Sequence, residues 1–182
     1  MIIDFPELRQ IYNYDCGACA LSSMLAYYGI DVREDAIMAL AGTTTDGTGT
    51  KGISKVLEHY NLSYIMGQMH VDKIKEAIDN RYPVLLTLQA YKTKNTPYAE
   101  CWDDGHYVVA IGYDERRLIF EDPSSYHRTF LEYQELADRW HDMESNGTKL
   151  YNWGCVIVGI PQYKSSKAAR MEFIGEVYTA LP

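Results

Sequence analysis

A cysteine becomes a nucleophile when its surroundings favour the thiolate and a neighbour handles its proton. Cys16 stands where the first condition is met. The run CGACALSSMLAYY over 16–28 is followed by Gly29 and reads as a helix with Asp15 as its N-cap and a glycine at its end. Free N–H groups and the positive dipole at a helix start favour a thiolate. Gly17 leaves room beside the sulfur. Gln10 lies six residues upstream in an extended lead-in. From there its amide can point an NH₂ at a developing oxyanion, alongside the Cys16 N–H.

His106 meets the second condition. It opens the apolar run HYVVAIGYD (106–114) directly after a polar, glycine-ended loop. An imidazole at the mouth of a strand is held rigidly yet faces a cleft, where it can take a proton from a thiol and return it to a leaving amine. Asp122 ends the neighbouring run RLIFEDP (117–123), sixteen residues after His106. A tight turn at Glu115–Arg117 makes the two runs a hairpin and returns Asp122 to the His106 end. A carboxylate there fixes the histidine tautomer and stabilises its charged form. Glu121 should face the opposite way, because strand side chains alternate. Histidines 59, 70, 127 and 141 fall in helices or loops with no such setting.

These residues need elements to carry them. Helices are expected over 16–28, 33–41, 53–60 and 71–80, with a Gly/Thr loop at 42–52 and a short strand in LSYIMG at 62–67. The second half changes period. PVLLTLQAY (83–91), the two runs of the hairpin and GCVIVGIP (154–161) read as strands of one sheet. FLEYQELADRWHD (130–142) has helical spacing, and the tail 163–182 has no strong period. Helices first and antiparallel strands later make an α+β pattern, a helical half packed on a sheet. The expectation is one domain spanning 1–182.

Composition narrows the function classes. With 47% apolar and 23% charged residues the chain is neither disordered nor fibrous. The net charge of −8 leaves no basic face for nucleic acid. No apolar run approaches the roughly 20 residues that cross a bilayer. The basic start and apolar core of a secretory signal are missing from MIIDFPELRQ. A cytoplasmic protein is therefore expected, with export after leader removal left open. Four cysteines, at 16, 19, 101 and 155, are too few for a disulfide scaffold of this length.

The two blocks together resemble the bacteriocin-processing, double-glycine leader peptidase family of papain-like cysteine peptidases. The first runs Gln10-x5-Cys16-Gly17, then Ala20, Leu21, Met24, Tyr27, Tyr28 and Gly29. The second runs His106-Tyr107-Val108-Val109, then Ile119, Asp122 and Pro123. The intervening GTTTDGTGTKGISKVLEHYNL also looks like that family's loop and helix. The resemblance covers roughly residues 6–160. It implies Cys16 as nucleophile, His106 as general base and acid, Asp122 as orienting group and Gln10 as oxyanion donor. It also implies a papain-like fold, a peptide or leader-peptide substrate, and no cofactor or metal. Cys16-Gly17-Ala18-Cys19 matches the start of the papain signature, Ala20 departs from it, and His106 follows at ninety residues rather than about 130–150. In the family the domain is often fused to a peptide-exporting ABC transporter. This chain has no GxxxxGK[ST] motif, so a stand-alone form with a separate exporter is expected.

Other readings of the same residues remain open. Papain-like sites also run acyl transfer and transamidation, since an amine can resolve an acyl-enzyme. Cys16-Gly17-Ala18-Cys19 is a CxxC at a helix start, the setting of thiol redox proteins. Cys16, Cys19, Cys101 and His106 are possible zinc ligands, though with an unusual spacing. A papain-like domain that only binds peptides would not need the full set of residues.

Overall fold

The computed structural model describes residues 1–91, 94–166 and 168. Five helices precede or interrupt the strands: α1 Cys16–Tyr27, α2 Glu34–Ala41, α3 Thr50–His59, α4 Val71–Asp79 and α5 Tyr133–Arg139. The strands are β1 Ser63–Gln68, β2 Val84–Gln89, β3 Gly105–Tyr113, β4 Arg117–Glu121, β5 Thr129–Glu132, β6 His141–Met143, β7 Lys149–Tyr151 and β8 Trp153–Val158. Six of them form an antiparallel sheet in the order β1-β8-β2-β3-β4-β5, and β6 pairs with β7 alone. The architecture is the expected α+β. Among the described residues no helix is long and apolar enough to cross a membrane.

Helix α1 carries Cys16 and packs on β3 and α2. The sequence suggested one apolar stripe. Instead every residue of α1 except Ala26 is buried, which explains why small Ala, Ser and Gly residues fill it: the helix is enclosed on all sides. Gly17 shows how tightly. A Cβ there would lie 2.9 Å from both the Thr48 Cβ and the Tyr107 ring, so the room it leaves is taken by those two side chains. Strand β2 is central in the sheet and buried along all six residues. Leu85 and Leu86 face opposite sides, each fully buried and each contributing about 1.5–3 kcal/mol.

Three expectations need correction. Asp15 stands at the N-cap position of α1 but makes no capping bond to the helix; its Oδ2 accepts from the Ile11 and Tyr12 N–H groups, both at 3.0 Å. Helix α3 starts at Thr50, inside the expected Gly/Thr loop, because the Thr50 N–H and hydroxyl are both met by Glu144 Oε1, at 2.7 and 2.8 Å. The segment 130–142 is helical only over α5. Its start pairs with β4 and its end with β7, and a capping box between Glu132 and Glu135 sets where the helix begins. Most of the tail 163–182 lies outside the described residues.

The hairpin of β3 and β4 is present, with a register change that matters for the site. At its mouth Tyr113 pairs with Leu118 and Gly112 with Ile119. Continued unchanged, that register would set Asp122 across from Val109, on the face of Tyr107. A bulge at Ile111 shifts it, so that Ala110 pairs with Phe120 and Val109 with Glu121. Asp122 then follows across from Val108, on the same face as His106, since one residue of slip exchanges the faces. The chain start braces the bulge: Ile2 bridges Gly112, and the Ile3 N–H donates to the Ile111 carbonyl at 2.7 Å.

Candidate active site

Cys16 is the first residue of α1. The Cys19 N–H donates to the Asp15 carbonyl at 2.9 Å, closing the first turn. The N–H groups of Cys16, Gly17 and Ala18 have no intrahelical acceptor, as at any helix start. His106, in β3, lies close enough to Cys16 for the two groups to interact electrostatically. The Nε2 of the ring meets Asp122 Oδ1 at 2.8 Å, which leaves Nδ1 for the thiol. The structure thus brings Cys16, His106 and Asp122 together. Glu121 points the other way, as expected, and pairs with Arg9 across the opposite face.

Asp122 is well satisfied for a buried carboxylate. Oδ1 also takes the Ser124 N–H at 2.9 Å, and Oδ2 takes the Tyr91 and Thr129 hydroxyls at 2.6 and 3.1 Å. Burial opposes its charge, but the His106, Tyr91 and Ser124 donors win, and its carboxyl is held below the usual range. His106 is 6% exposed. Burial also opposes its charge, yet the bond to Asp122 and the nearby Cys16 lift it to about 9. The ring therefore holds a proton at neutral pH.

Gln10 is tied to the same corner. Its backbone N–H donates to the Pro123 carbonyl at 3.1 Å and its Oε1 accepts from the Ser124 hydroxyl at 2.7 Å. One hydrogen of its amide goes to the Tyr12 carbonyl at 2.6 Å. A primary amide has two, so one remains to donate.

A cleft of about 180 Å³ opens beside Cys16, walled by the Gly47–Thr48–Gly49 backbone, Trp102, Gly105, Tyr107 and Asp142. Gly105 is required: a Cβ there would collide with the Asp142 carboxylate. Burial pushes the Asp142 carboxyl up to about 7, against hydrogen bonds from the Met143 N–H and Gln89. Sequence reasoning missed Asp142 because it lay in a segment read as helix. It also missed Tyr91, at the end of a strand run and without any motif.

Behind α1 the setting differs. Cys19 is fully buried and contacts Glu34. Asp15 Oδ1 and Glu34 Oε1 are buried oxygens with no donor while both groups are ionised. A proton on Glu34 resolves both, since it then donates to Asp15. Burial, followed by that bond and the Asp15 charge, pushes Glu34 up to about 7. Among the described residues no three His, Cys, Asp or Glu side chains gather as a metal site. The Cys101 thiol, one of the suggested zinc ligands, instead donates to Asp104 Oδ2 at 3.1 Å.

With this geometry in place, comparison with known proteins is specific. The model of the Peptidase C39 family matches residues 4–144. The pediocin PA-1 transport/processing ATP-binding protein PedD of Pediococcus acidilactici is 29% identical over 132 residues, 72% of this chain and 17% of that protein. The lactococcin transport/processing ATP-binding protein LcnC-like of Lactococcus lactis subsp. lactis (strain IL1403) is 31% identical over 115 residues, 63% of this chain and 14% of that protein. The chain thus spans less than a fifth of the length of these relatives. A crystal structure of a C39-like peptidase from Bacillus anthracis shares the fold with a TM-score of 0.69 at 13% identity, covering 88% of this chain and 98% of that one. The double glycine motif protease from an AMS/PCAT transporter, solved in complex with the leader peptide, superposes with a TM-score of 0.62 at 17% identity, covering 86% and 92%.

Proposed function

The chain belongs to the Peptidase C39 family of cysteine peptidases, and from that premise we propose that Cys16, His106 and Asp122 are its catalytic triad and that it removes leader peptides after a double glycine. The observation that carries the reading is His106 beside Cys16, the first residue of α1, with its Nε2 2.8 Å from Asp122 Oδ1.

In the reaction His106 carries the proton that Cys16 gives up, which leaves the sulfur as the nucleophile. That sulfur attacks the scissile carbonyl, and the carbonyl oxygen becomes an oxyanion. The Cys16 N–H and the remaining Gln10 amide hydrogen donate to that oxygen. As the intermediate collapses, the C–N bond breaks and His106 Nδ1 gives its proton to the leaving amine. A thioester on Cys16 remains. Neutral His106 then takes a proton from water, whose oxygen attacks the thioester. The acid product leaves, and the proton returns to the Cys16–His106 pair. Asp122 keeps the ring in place and balances its charge throughout. No cofactor enters these steps.

Two observations support small residues at the cut. The cleft beside Cys16 is small, about 180 Å³, and Gly47, Gly49 and Gly105 are among the residues that line it. The relatives are described as transport/processing proteins, and one neighbour in fold as a double glycine motif protease with its leader peptide. On this reading the substrate is a leader-bearing peptide, met in the cytoplasm before a peptide exporter moves it.

The test is a synthetic leader ending in Gly-Gly joined to a short cargo, followed by mass spectrometry under reducing conditions. The expected product is a single cut after the second glycine, lost when both glycines are replaced by valine. Equal cutting of the valine peptide would overturn the double-glycine part. Transfer of the leader to an added amine at the expense of hydrolysis would make the protein an acyltransferase instead.

A further inference from the structure

The His106–Asp122 pair is covered by a side chain to which the mechanism assigns nothing. Tyr91 stands two residues beyond β2, and its hydroxyl donates to Asp122 Oδ2 at 2.6 Å. Its ring meets the imidazole near edge-on, with centroids 5.6 Å apart and planes at 67°. One residue therefore touches both partners of the pair.

Two features separate Tyr91 from an aromatic that merely packs. Its backbone is left-handed, with φ of 56°, a conformation that is costly for a bulky side chain and persists where the surroundings impose it. It is also 55% exposed, while His106 and Asp122 beneath it are 6% and 2% exposed. A half-exposed ring gains little from its own burial. What this backbone conformation achieves is to lay a hydroxyl and a ring over a buried charge pair. Burial and the bond to Asp122 push the Tyr91 phenol up, so it stays a donor over the working pH range.

We infer that Tyr91 is a positioning residue for the reaction, its hydroxyl fixing the Asp122 carboxylate and its ring keeping water from the His106–Asp122 hydrogen bond. The inference rests on the triad reading above. The titratable and charged groups that face this pair are Cys16 from α1, Asp142 from β6 and, on the Tyr91 side, Arg139 from α5 and Tyr98. The Tyr91 hydroxyl competes with the ring for the charge of Asp122. Without it, Asp122 holds the imidazolium proton more strongly, and deprotonation of His106 moves to higher pH.

The experiment is the pH profile of kcat/KM on the leader peptide for the unaltered protein, Tyr91→Phe, Tyr91→Ala and His106→Ala, with a melting curve for each. The unaltered protein should lose activity on the basic side near pH 9. Tyr91→Phe should keep the fold, shift that basic limb upward and lose about tenfold in kcat/KM at pH 7, the scale of one hydrogen bond to a charged group. Tyr91→Ala should lose about 10²-fold, as misplaced catalytic groups do. A Tyr91→Phe profile that superposes on the parent's, with His106→Ala inactive, overturns the positioning role and leaves the triad standing. Full activity in His106→Ala overturns the triad, and this role with it.

Discussion

Cys16 and Cys19 sit one turn apart on α1, and each has two acidic residues close by. Beside Cys16 the acid is Asp122, met by four donors and joined to the thiol through His106. Asp142 lines the same cleft. Beside Cys19 are Asp15 and Glu34, with two buried oxygens that lack donors. Burial, then the Glu34 and Asp15 charges, push the Cys19 thiol far up. The two sites have similar groups and opposite chemistry. A buried carboxylate stays ionised when donors and a cation meet it, and takes up a proton when only another carboxylate does. The same difference decides whether a neighbouring thiol can part with its proton. It also answers the redox reading: a CxxC pair needs two reactive thiols, and here the second is sealed in the core beside negative charge.

Breaking the contrast on the active side gives the largest effect. Cys16→Ala should reduce turnover to background, a loss on the order of 10⁶-fold, because no other group can form the thioester. Any residual cutting sensitive to thiol reagents would mean that the two cysteines are less distinct than their surroundings imply. Gln10→Ala comes next. It should lower the acylation rate by roughly 10²–10³, the usual loss for one oxyanion donor, with peptide binding nearly unchanged. A variant as fast as the parent would reduce Gln10 to the brace it makes with Ser124 and Pro123.

On the silent side the effects are small. Cys19→Ala should keep activity within about twofold and lose about 1 kcal/mol of stability from a filled core position. Iodoacetamide should label Cys16 and leave Cys19 unlabelled until the protein is unfolded, as peptide mapping can show. Loss of activity equal to that of Cys16→Ala would restore the redox reading. Glu34→Gln should have the smallest effect. Glu34 has a folded value of about 7 against an ordinary 4.5, so the folded state binds its proton more tightly than the unfolded one. Its contribution is full below pH 4.5 and is lost as the pH rises through 7. The Gln variant should thus melt about 1–2 °C higher than the parent at pH 8, a small gain because Glu34 is partly exposed and solvent screens it. Near pH 4 the two should melt together. Equal melting at pH 8 would mean that Glu34 is ionised without cost.

The grouping of Cys16, His106 and Asp122 was legible because it rests on local signals. A small-residue helix beginning at Cys16, a polar loop ending at His106 and an Asp-Pro closing a strand are each visible within a few residues. Hairpin spacing and the order of the blocks joined them, and the resemblance to a leader peptidase family supplied their roles. The ends of the elements were less legible. Glu144 extends α3 from ninety-four residues away, and β7 takes the end of a segment whose spacing is helical. Local propensity contains neither partner.

By itself the sequence determined that a thiol, an imidazole and a carboxylate would be carried on one helix start and one hairpin in an α+β chain. Tertiary structure decided which of them meet. The face of Asp122 depends on the single extra residue at Ile111, and that bulge is held by Ile2 and Ile3 at the far end of the chain. Asp15 had the sequence of a helix cap, but the Ile11–Tyr12 backbone claims it. Tyr91 had no distinguishing sequence, yet it covers the His106–Asp122 pair because its backbone turns left-handed there. In each case the physical reason is the same: strand parity, carboxylate protonation and a strained backbone are set by contacts between distant segments, and periodicity and composition report only on neighbours along the chain.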